Sequence, residues 1–387
     1  MDFYTRKFAY VWLRFSEFSV NMIVFFYSLF FKRKKVNATI KIAAFWYCPP
    51  NQIGSNLRLG AWKGHFEKDN IIFDNFYIND FEESIRKIEK GNWTSKYFYF
   101  SKSLWRRLPQ ILKLHNYDVV WIDRCIIPYF PRKNAYIESR LKKVVRKVVV
   151  DSTDGGDYQD NPQLMEGVFK AADELTVGYK HLKEEFGKRF SVTQVFWTIS
   201  TENYIRKQNY DFDGTPIIGW MGSPANFQFV KGIIPVLVEV AKRRKFIFKY
   251  ICRQNFDNEL TGIESQHKQF GDDYYQQLAS FDIGISPFLV ANLRTKGKIA
   301  MKHQEFLLMG TPQVCSPVAI SEFVKDGEEV LIAVNQEDWV NHIITLIDNI
   351  ACRKKLGANS KSLFDHYYTY ESQYPKLKEV LTSLSDK

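Results

Sequence analysis

The sequence predicts an α/β fold of two Rossmann-like domains that face each other across a cleft, preceded by a hydrophobic helical extension. The chain has 387 residues, which is more than one hydrophobic core usually fills. Strands of buried type alternate with helical stretches, which is the pattern of a mainly parallel sheet. A polar, turn-rich connector, KQNYDFDGTP (Lys207–Pro216), interrupts the alternation, which then starts again.

The first 36 residues form a separate segment. An aromatic-rich run of about 14 residues, Phe18–Phe31, precedes the basic cluster Lys32–Lys35. Spanning a bilayer takes roughly 20 apolar residues, and no small-residue cleavage site follows the run. We therefore expect a helix that lies in the membrane interface, with its basic cluster on anionic headgroups. The alternatives are a helix that packs its rings on the protein's own surface, and a true span, which the short run disfavours.

The elements of the first half follow from the residue pattern in order. Buried strands are expected at TIKIAAFWY (39–47), YDVVWID (117–123) and RKVVVDS (146–152), because β-branched and aromatic residues dominate them. A short strand and a helix follow in ADELTVGYKHLKEEF (172–186), and QVFWTIS (194–200) closes the half.

The second half repeats this alternation. Amphipathic spacing predicts helices in VKGIIPVLVEVAKRRK, near Lys298 and in QEDWVNHIITLIDNI. The expected strands lie within 217–223, 246–253, 281–288, 311–318 and 329–334.

Composition fits a globular protein, with 45% hydrophobic and 25% charged residues. The net charge of +11 favours anionic partners, such as nucleic acids, acidic lipid headgroups or phosphorylated small molecules. The basic residues are spread through the chain and form no recognised nucleic-acid module, so we expect no nucleic-acid partner. The five cysteines are scattered without metal-ligand spacing, which indicates reduced core residues and a cytoplasmic location.

One stretch, KGKIAMKHQEFLLMGTP (Lys296–Pro312), has an unusual charge pattern. Lys298, Lys302 and Glu305 fall on one face of the predicted helix, at i, i+4 and i+7. A helix N-terminus already carries roughly half a positive charge, so lysines there are mildly repelled. The pattern makes sense when an anion, most naturally a phosphate, binds over that end. A solvated basic loop is the alternative.

Other candidate binding residues follow strand ends. Arg253 ends a strand, where a guanidinium can fork onto phosphate oxygens, and Arg294 lies in the loop before the predicted helix. Gly222 and Ser223 follow the first strand of the second half, and Gly54 follows the first strand of the chain. Backbone N–H groups can approach a ligand closely at such glycines. A plain surface role for Arg253 stays open.

Carboxylates cluster after the third predicted strand, in VVVDSTDGGDYQD. Asp154 and Asp157 are candidates for a base that takes a proton from a hydroxyl group. Capping and turning the loop would explain the same residues. A metal site is less favoured, because no histidine or third ligand follows at fixed spacing, and we expect no metal.

The chain resembles the GT-B glycosyltransferases, specifically family 4 of retaining enzymes, over roughly residues 39–370. The resemblance rests on YDVVWIDRCIIPYFP, VVVDSTDGGD, ADELTVGYKHL, IIGWMGSPAN and, above all, KGKIAMKHQEFLLMGTPQVCSPVAISEFVKDGEEVLIA. The last stretch is similar to the family's donor-site block, which has a basic residue before a helix, a Glu five residues before Gly-x-Pro, and a second loop ending in Asp-Gly.

The resemblance implies a particular domain layout after the membrane-associating segment 1–36. An acceptor domain would cover 37–208 and a nucleotide-sugar donor domain 209–366. A C-terminal helix within 367–387 would cross back to the first domain.

The resemblance also implies residue roles. Glu305 would bind the ribose, and Lys298 with Arg253 or Lys302 would neutralise the diphosphate leaving group. The reaction would be retaining and metal-independent, with front-side attack assisted by the donor phosphate.

Two positions depart from the family's pattern. Gly297 stands where the Glu-x7-Glu motif has its earlier Glu, and Gly222-Ser223 stands where Gly-Arg is usual. The acceptor-domain histidine of the family has no clear counterpart, and Asp154 or Asp157 could substitute for it.

The sequence therefore predicts a glycosyltransferase that moves a sugar from a nucleotide-sugar donor to a glycan or lipid-linked acceptor, without a cofactor. We expect it at the cytoplasmic face of the membrane, as a peripheral protein, as in bacterial surface polysaccharide or glycolipid synthesis. The alternative is a non-catalytic nucleotide-sugar binder or scaffold in a glycan assembly complex.

Overall fold

Two parallel β-sheets organise the computed structural model, which describes residues 3–31, 39–47, 60–78, 83, 86–87, 91–152, 155–196, 198–288, 296 and 299–384. The chain divides into two units, and each has one six-stranded sheet in its described part. Unit 1 comprises Met1–Trp197 and Gln373–Lys387, and unit 2 comprises Thr198–Ser372. The domain boundaries expected from the sequence stay predictions.

Unit 1 is built on β1 (Lys41–Phe45), β2 (Ile72–Phe76), β3 (Val119–Asp123), β4 (Lys147–Ser152), β5 (Glu174–Val177) and β6 (Val192–Gln194). These strands pair in parallel in the order β2-β1-β3-β4-β5-β6. All residues of β4 are buried, because it lies inside the sheet with both faces covered. Its unbroken apolar run, Val148–Val150, reflects this position.

Helices connect the strands of unit 1. Asn92 caps one of them by accepting the Ser95 N–H, and Asn161 caps another by accepting the Leu164 N–H. In the described residues these helices are α1 (Phe3–Phe30), α2 (Lys63–Lys68), α3 (Trp93–Ile111), α4 (Tyr136–Leu141), α5 (Gly156–Asp160), α6 (Pro162–Ala171) and α7 (Lys180–Gly187).

Unit 2 repeats the plan with β7 (Ile217–Met221), β8 (Ile247–Ile251), β9 (Ser265–Lys268), β10 (Ile283–Ser286), β11 (Gln313–Cys315) and β12 (Leu331–Ile332). These strands pair in parallel in the order β12-β11-β10-β7-β8-β9. The chain runs outward from β7 to β9, and then returns to place β10 on the other side of β7. We call the carboxyl ends of the neighbouring strands β7 and β10, where the strand order reverses, the reversal point. In α/β sheets, ligands bind beyond the strand ends at such points.

The helices of unit 2 cover this second sheet. Asn335 and Asp338 form a capping box at the start of one helix, and Gly310 ends another with a φ of 70°. The described helices that begin in unit 2 are α8 (Phe227–Lys231), α9 (Ile234–Arg243), α10 (Tyr274–Ala279), α11 (Met301–Met309), α12 (Gln336–Asp348), α13 (Ile350–Tyr367) and α14 (Tyr370–Thr382). From Gln373 onward, the residues of α14 belong to unit 1.

Two glycines allow close packing at the reversal point. Gly219 of β7 and Gly284 of β10 are direct partners in the sheet. A Cβ on Gly219 would lie 2.0 Å from the ring of Phe281, and one on Gly284 would lie 2.7 Å from the ring of Phe306. Only glycine leaves room for these rings, and Phe306 belongs to α11. Gly284 therefore lets α11 pack directly on the sheet, and Gly219 makes room for Phe281 beside it.

Helix α1 packs along α3 through small and aliphatic side chains. Ala9, Leu13 and Val20 are fully buried, and Ser16 Oγ lies 2.6 Å from Ser101 Oγ of α3. Most aromatic rings of α1 are exposed instead. The alternative, in which the rings pack on the protein's own surface, is therefore wrong for most of them, and the expected position in the membrane interface stays a prediction. Among the described residues, no helix has the length and apolar character that crossing a membrane requires.

The structure confirms the α/β class and most expected strands, but it differs at the sheet edges. Strands β2 and β9 were not expected, because their sequences, IFDNF and SQHK, are short and polar for strands. Of the described residues in the stretch expected to close the first half, 194–200, only Gln194 belongs to a strand, because β6 ends there. Edge strands have a solvated side and so lack a long apolar run.

A buried arginine of α3, Arg107, links the carboxyl ends of three strands. Its guanidinium donates hydrogen bonds to the backbone carbonyls of Trp46 (2.5 Å), Phe76 (3.1 Å) and Ile126 (3.2 Å), which lie at or just after the ends of β1, β2 and β3. Burial lowers the pKa of Arg107 to about 9, so the side chain stays charged at neutral pH.

Replacing Arg107 with methionine should lower the free energy of unfolding by about 3 kcal/mol or more, because the buried carbonyls lose their donor. Urea unfolding measures this loss. Arg106→Met is the matched control on the same helix, and its side chain is 41% exposed. It should change the free energy of unfolding by less than about 1 kcal/mol. Equal losses in both variants would contradict the linking role.

Candidate functional site

The carboxyl edge of the unit 2 sheet gathers several of the predicted site residues. β7 is followed by Gly222 and Ser223, β8 by Arg253, and β10 by Phe288. Because the carboxyl ends of parallel strands share one edge, these residues lie along the same edge of the sheet. Arg253 is exposed there.

The loop after β7 turns tightly over Trp220, the second-last residue of that strand. The Gly222 N–H donates a hydrogen bond to the Ile251 carbonyl (3.1 Å), and a Cβ at position 222 would lie 2.7 Å from the Trp220 ring. The Ser223 carbonyl then accepts the Asn226 N–H (2.9 Å). The packing of Trp220 therefore requires glycine at position 222, independently of any role of Gly222 in ligand binding.

Lys302, in the first turn of α11, lies at the reversal point. It is 6% exposed. Its Nζ lies 5.3 Å from the ring centre of Trp220, on β7, and 4.7 Å from that of Phe288, just after β10. Aromatic faces attract cations, so the two rings hold the ammonium group between the ends of these strands.

The N-terminus of α11 adds positive charge at the same place. Ala300 occupies the cap position and offers no side-chain acceptor, and the first turn contains no acidic residue. The backbone N–H of Ala300 donates a hydrogen bond to the Ala319 carbonyl (2.8 Å). The unsatisfied N–H groups of a helix start carry about half a positive charge. A full charge on Lys302 and this partial charge together favour a bound anion.

Two buried polar atoms at the reversal point lack hydrogen-bond partners in the described part of the chain. They are Nε1 of Trp220, on β7, and Oγ of Ser286, the last residue of β10. Buried polar groups are nearly always paired in native proteins. Their position supports a site that a ligand completes.

Glu305, one turn after Lys302, lies in a pocket closed by tyrosines. Its Oε1 accepts hydrogen bonds from the hydroxyl groups of Tyr204 and Tyr274, both at 2.7 Å. Its Oε2 is buried, with no hydrogen-bond partner among the described residues. Burial raises the pKa of Glu305 to about 7, although the two tyrosine hydrogen bonds and Lys302 oppose the rise. The carboxyl group therefore changes its charge near neutral pH.

His303, the histidine of α11, has a structural role. Its Nδ1 lies 2.8 Å from Gln313 Oε1, and its Nε2 accepts the Ser321 N–H at 3.0 Å. Burial lowers its pKa to about 4, so the ring is neutral at physiological pH. These bonds attach α11 to β11 and to the loop beyond it.

In unit 1, Asp157 forms an ion pair with Arg124, which the sequence analysis did not identify as a site residue. Its Oδ2 lies 3.2 Å from Nε of Arg124, which directly follows β3, and Arg124 donates a hydrogen bond to the Tyr129 hydroxyl (2.7 Å). Arg124 and Tyr129 have φ values of 66° and 63°, which side chains rarely allow. Asp157 itself lies in α5, after β4.

Some predicted site residues lie outside the described residues, and their roles stay predictions. They are Gly54, Asp154, Arg294 and Lys298. In the part of the chain that the structure describes, no group of three or more His, Cys, Asp or Glu side chains is placed to hold a metal ion.

The sequence analysis missed the aromatic residues that surround α11. Tyr204, Tyr274, Trp220 and Phe288 come from distant segments and look like ordinary core residues in sequence. Only Trp220 had a local signal, because it stands in the motif that contains Gly222.

Solved structures of known proteins share this fold over most of the chain. The Anabaena protein HepE, in complex with UDP, has a TM-score of 0.61 and 13% identity, over 89% of this chain and 100% of that chain. Sucrose-phosphate synthase from Thermosynechococcus elongatus has a TM-score of 0.60 and 12% identity, over 88% and 98% of the two chains. A glycosyltransferase from Rickettsia africae has a TM-score of 0.58 and 12% identity, over 90% and 99%.

No protein-family model and no curated protein sequence matches the chain. The structural similarities and the two parallel sheets together show a GT-B fold, which confirms the predicted fold class.

Replacing Glu305 with glutamine should stabilise the protein more at high than at low pH. Folding raises the pKa of this carboxyl group from 4.5 to about 7. The folded protein therefore holds the proton more tightly, and stability falls as the pH rises through that interval. Glutamine is neutral throughout and keeps an oxygen for the two tyrosines. The gain at about pH 8 should exceed the gain at about pH 5.5 by about 2 kcal/mol in urea unfolding.

The control for this comparison is Glu337→Gln, which neutralises an exposed carboxylate at the start of α12. Its effect on the free energy of unfolding should be the same at both pH values. A Glu305→Gln effect that is also independent of pH would contradict the raised pKa.

Proposed function

We propose that the protein is a glycosyltransferase that moves a sugar from a nucleotide-sugar donor to a glycan or lipid-linked acceptor. The observation that carries the proposal is the position of Lys302, a buried cation at the reversal point of the unit 2 sheet and at a helix N-terminus with no side-chain cap among the described residues. A diphosphate is the kind of anion that such a place binds. The GT-B fold supports the proposal, and HepE has been solved with UDP and with UDP-glucose.

In the proposed donor site, the diphosphate lies over the first turn of α11. Lys302 binds it directly, and Lys298, Arg253 and Arg294 supply further positive charge. The backbone of Gly222 and Ser223 forms one wall of the site, since the loop turns close over the strand edge there.

Glu305 is proposed to bind the ribose. A ribose hydroxyl group would supply the hydrogen bond that Oε2 lacks. Because Glu305 is only 1% exposed, this contact requires a side-chain movement in the tyrosine pocket when the donor binds. The carboxylate form is the one that accepts hydroxyl hydrogen bonds on both oxygens.

The proposed reaction is retaining and needs no metal. The bond between the anomeric carbon and the diphosphate oxygen breaks, and negative charge collects on the departing diphosphate. Lys302 and the N-terminus of α11 stabilise that charge as it develops. The acceptor oxygen forms its bond to the same face of the sugar, and its proton passes to an oxygen of the departing phosphate.

The acceptor is proposed to bind unit 1, near the carboxyl ends of β3 and β4. Asp157 is the described candidate for orienting the acceptor hydroxyl group, and its ion pair with Arg124 fixes its carboxylate. Asp154 is the other candidate from the sequence for this role, and Gly54 stays a candidate for binding the donor through its backbone. We propose a glycan or lipid-linked acceptor of cell-surface polysaccharide or glycolipid synthesis in a bacterium.

A non-catalytic nucleotide-sugar binder is the second candidate. The closed tyrosine pocket around Glu305 favours it, together with Gly297 in place of a motif glutamate. Release of free nucleotide from a bound donor separates the two functions, because a scaffold binds the donor without consuming it.

Replacing Lys302 with methionine should weaken donor binding or transfer by about 100-fold, because the departing diphosphate loses a desolvated cation. A thermal-shift screen of nucleotide-sugars first identifies the donor, since a ligand that binds the native state raises its stability. Calorimetric titration and a transfer assay with that donor then measure the effect.

Lys242→Met is the matched control, because it removes one positive charge from α9 at a side chain that is 67% exposed. It should leave donor binding unchanged. Equal donor affinity together with an equal transfer rate in the wild type and in Lys302→Met would reject this site, and a screen without any stabilising nucleotide-sugar would reject the function.

A further inference from the structure

The outward face of α1 carries a row of apolar side chains, in which the half-buried Met22 lies between Phe18 and Phe26. Residues three or four positions apart fall on one side of a helix. The members of the row are between 49% and 65% exposed: Phe8, Val11, Phe15, Phe18, Phe26 and Leu29. Soluble proteins rarely expose a contiguous apolar surface of this kind unless it meets a partner.

Contacts along the whole length of α1 hold this row outward. Ser16 Oγ lies 2.6 Å from Ser101 Oγ, and Nε1 of Trp105 donates a hydrogen bond to Ser16 Oγ (3.1 Å). Near the other end, the Tyr27 hydroxyl accepts the His115 N–H (3.0 Å). The small and aliphatic face of α1 packs on α3, and among the described residues of unit 1 the aromatic row stays exposed.

Helix α3 extends the apolar surface beyond α1. The rings of Phe8 and Phe98 lie 6.3 Å apart between centres, and Phe98 is 39% exposed. Trp93 and Trp105 of the same helix are 49% and 38% exposed. Tryptophan is a favoured residue at membrane–water interfaces, because its ring is apolar and its N–H is polar.

Positive charges accompany the aromatic row. Arg6 and Lys7 are exposed on α1, and the Arg14 side chain on one side of the row is 42% exposed and ion-paired with Glu17 at 2.6 Å. On α3, the Lys102 side chain is 49% exposed and ion-paired with Glu83 at 2.7 Å. The basic cluster Lys32–Lys35 follows α1 directly in the sequence. Aromatic rings beside basic side chains are the combination that binds anionic lipid surfaces.

We propose that the outward row of α1, with the exposed rings of α3, is a docking surface for an anionic lipid bilayer. The rings enter the interface between headgroups and acyl chains, with α1 parallel to the membrane plane. The lysines and arginines beside the row contact the anionic headgroups. This proposal is independent of the sugar-transfer reaction, because none of its residues belongs to the donor site.

The packing of α1 determines how the surface is tested. Deleting the first 36 residues would uncover the buried side of α3 and would confuse loss of docking with loss of folding. Substitutions on the outward row avoid this, because exposed positions change the free energy of unfolding by only about 0.5 kcal/mol. The test variant of the full chain is therefore Phe15→Glu with Phe18→Glu.

Sedimentation with vesicles of phosphatidylglycerol and phosphatidylcholine measures docking. The wild type should bind these vesicles, bind neutral phosphatidylcholine vesicles more weakly, and release as salt is raised. The double variant should lose about tenfold or more in affinity, because two rings no longer leave water. The control is Phe270→Glu with Val334→Glu, at exposed apolar positions of unit 2, and it should bind as the wild type does.

Three results would overturn the proposal. The wild type could fail to bind anionic vesicles, or the α1 variant could bind them as well as the wild type. Light scattering could instead show a stable dimer that the α1 variant dissociates and that binds no vesicles, in which case a second copy covers the row.

Discussion

A lysine ammonium group buried at the positive end of a helix is the feature on which the proposed chemistry depends. Lys302 reaches that position because the strand order of unit 2 reverses between β7 and β10, which brings Trp220 and Phe288 to either side of it. Gly284 of β10 lets α11 pack onto the sheet, because only glycine leaves room for the Phe306 ring. Taking a cation out of water is unfavourable, and a bound anion offsets that cost. The proposed anion site therefore lies at the sheet edge where α/β folds bind ligands.

The neighbouring carboxyl group, that of Glu305, lowers the stability of the folded protein. Glu305 is buried in its tyrosine pocket at a cost to stability, because folding disfavours its charged form. Tyr204 donates to Glu305, and three residues later the Lys207 N–H donates to the Met309 carbonyl at the end of α11 (2.7 Å). One short segment thus holds α11 at two points. A group that lowers stability yet is firmly positioned is typical of a functional site.

The sequence could predict features set by residues close together in the chain, but not contacts between segments that are far apart in the chain. Alternating strands and helices are local patterns, and so is the spacing of Lys302 and Glu305 on one helix face. Tyr204 and Tyr274 could not be predicted as partners of Glu305, since chain folding alone brings these segments together. In α1, the apolar character was visible, but aromatic and aliphatic stripes look alike in sequence. Only the packing on α3 shows which of the two is buried.

A crystal structure of the protein with bound UDP would locate the anion site without any assumption about catalysis. The diphosphate should lie over the first turn of α11, with an oxygen within about 3.2 Å of Lys302 Nζ or of a backbone N–H of that turn. A ribose hydroxyl group should contact Glu305. A nucleotide bound in unit 1, or bound to unit 2 away from the reversal point with Lys302 untouched, would contradict the assignment of the donor site.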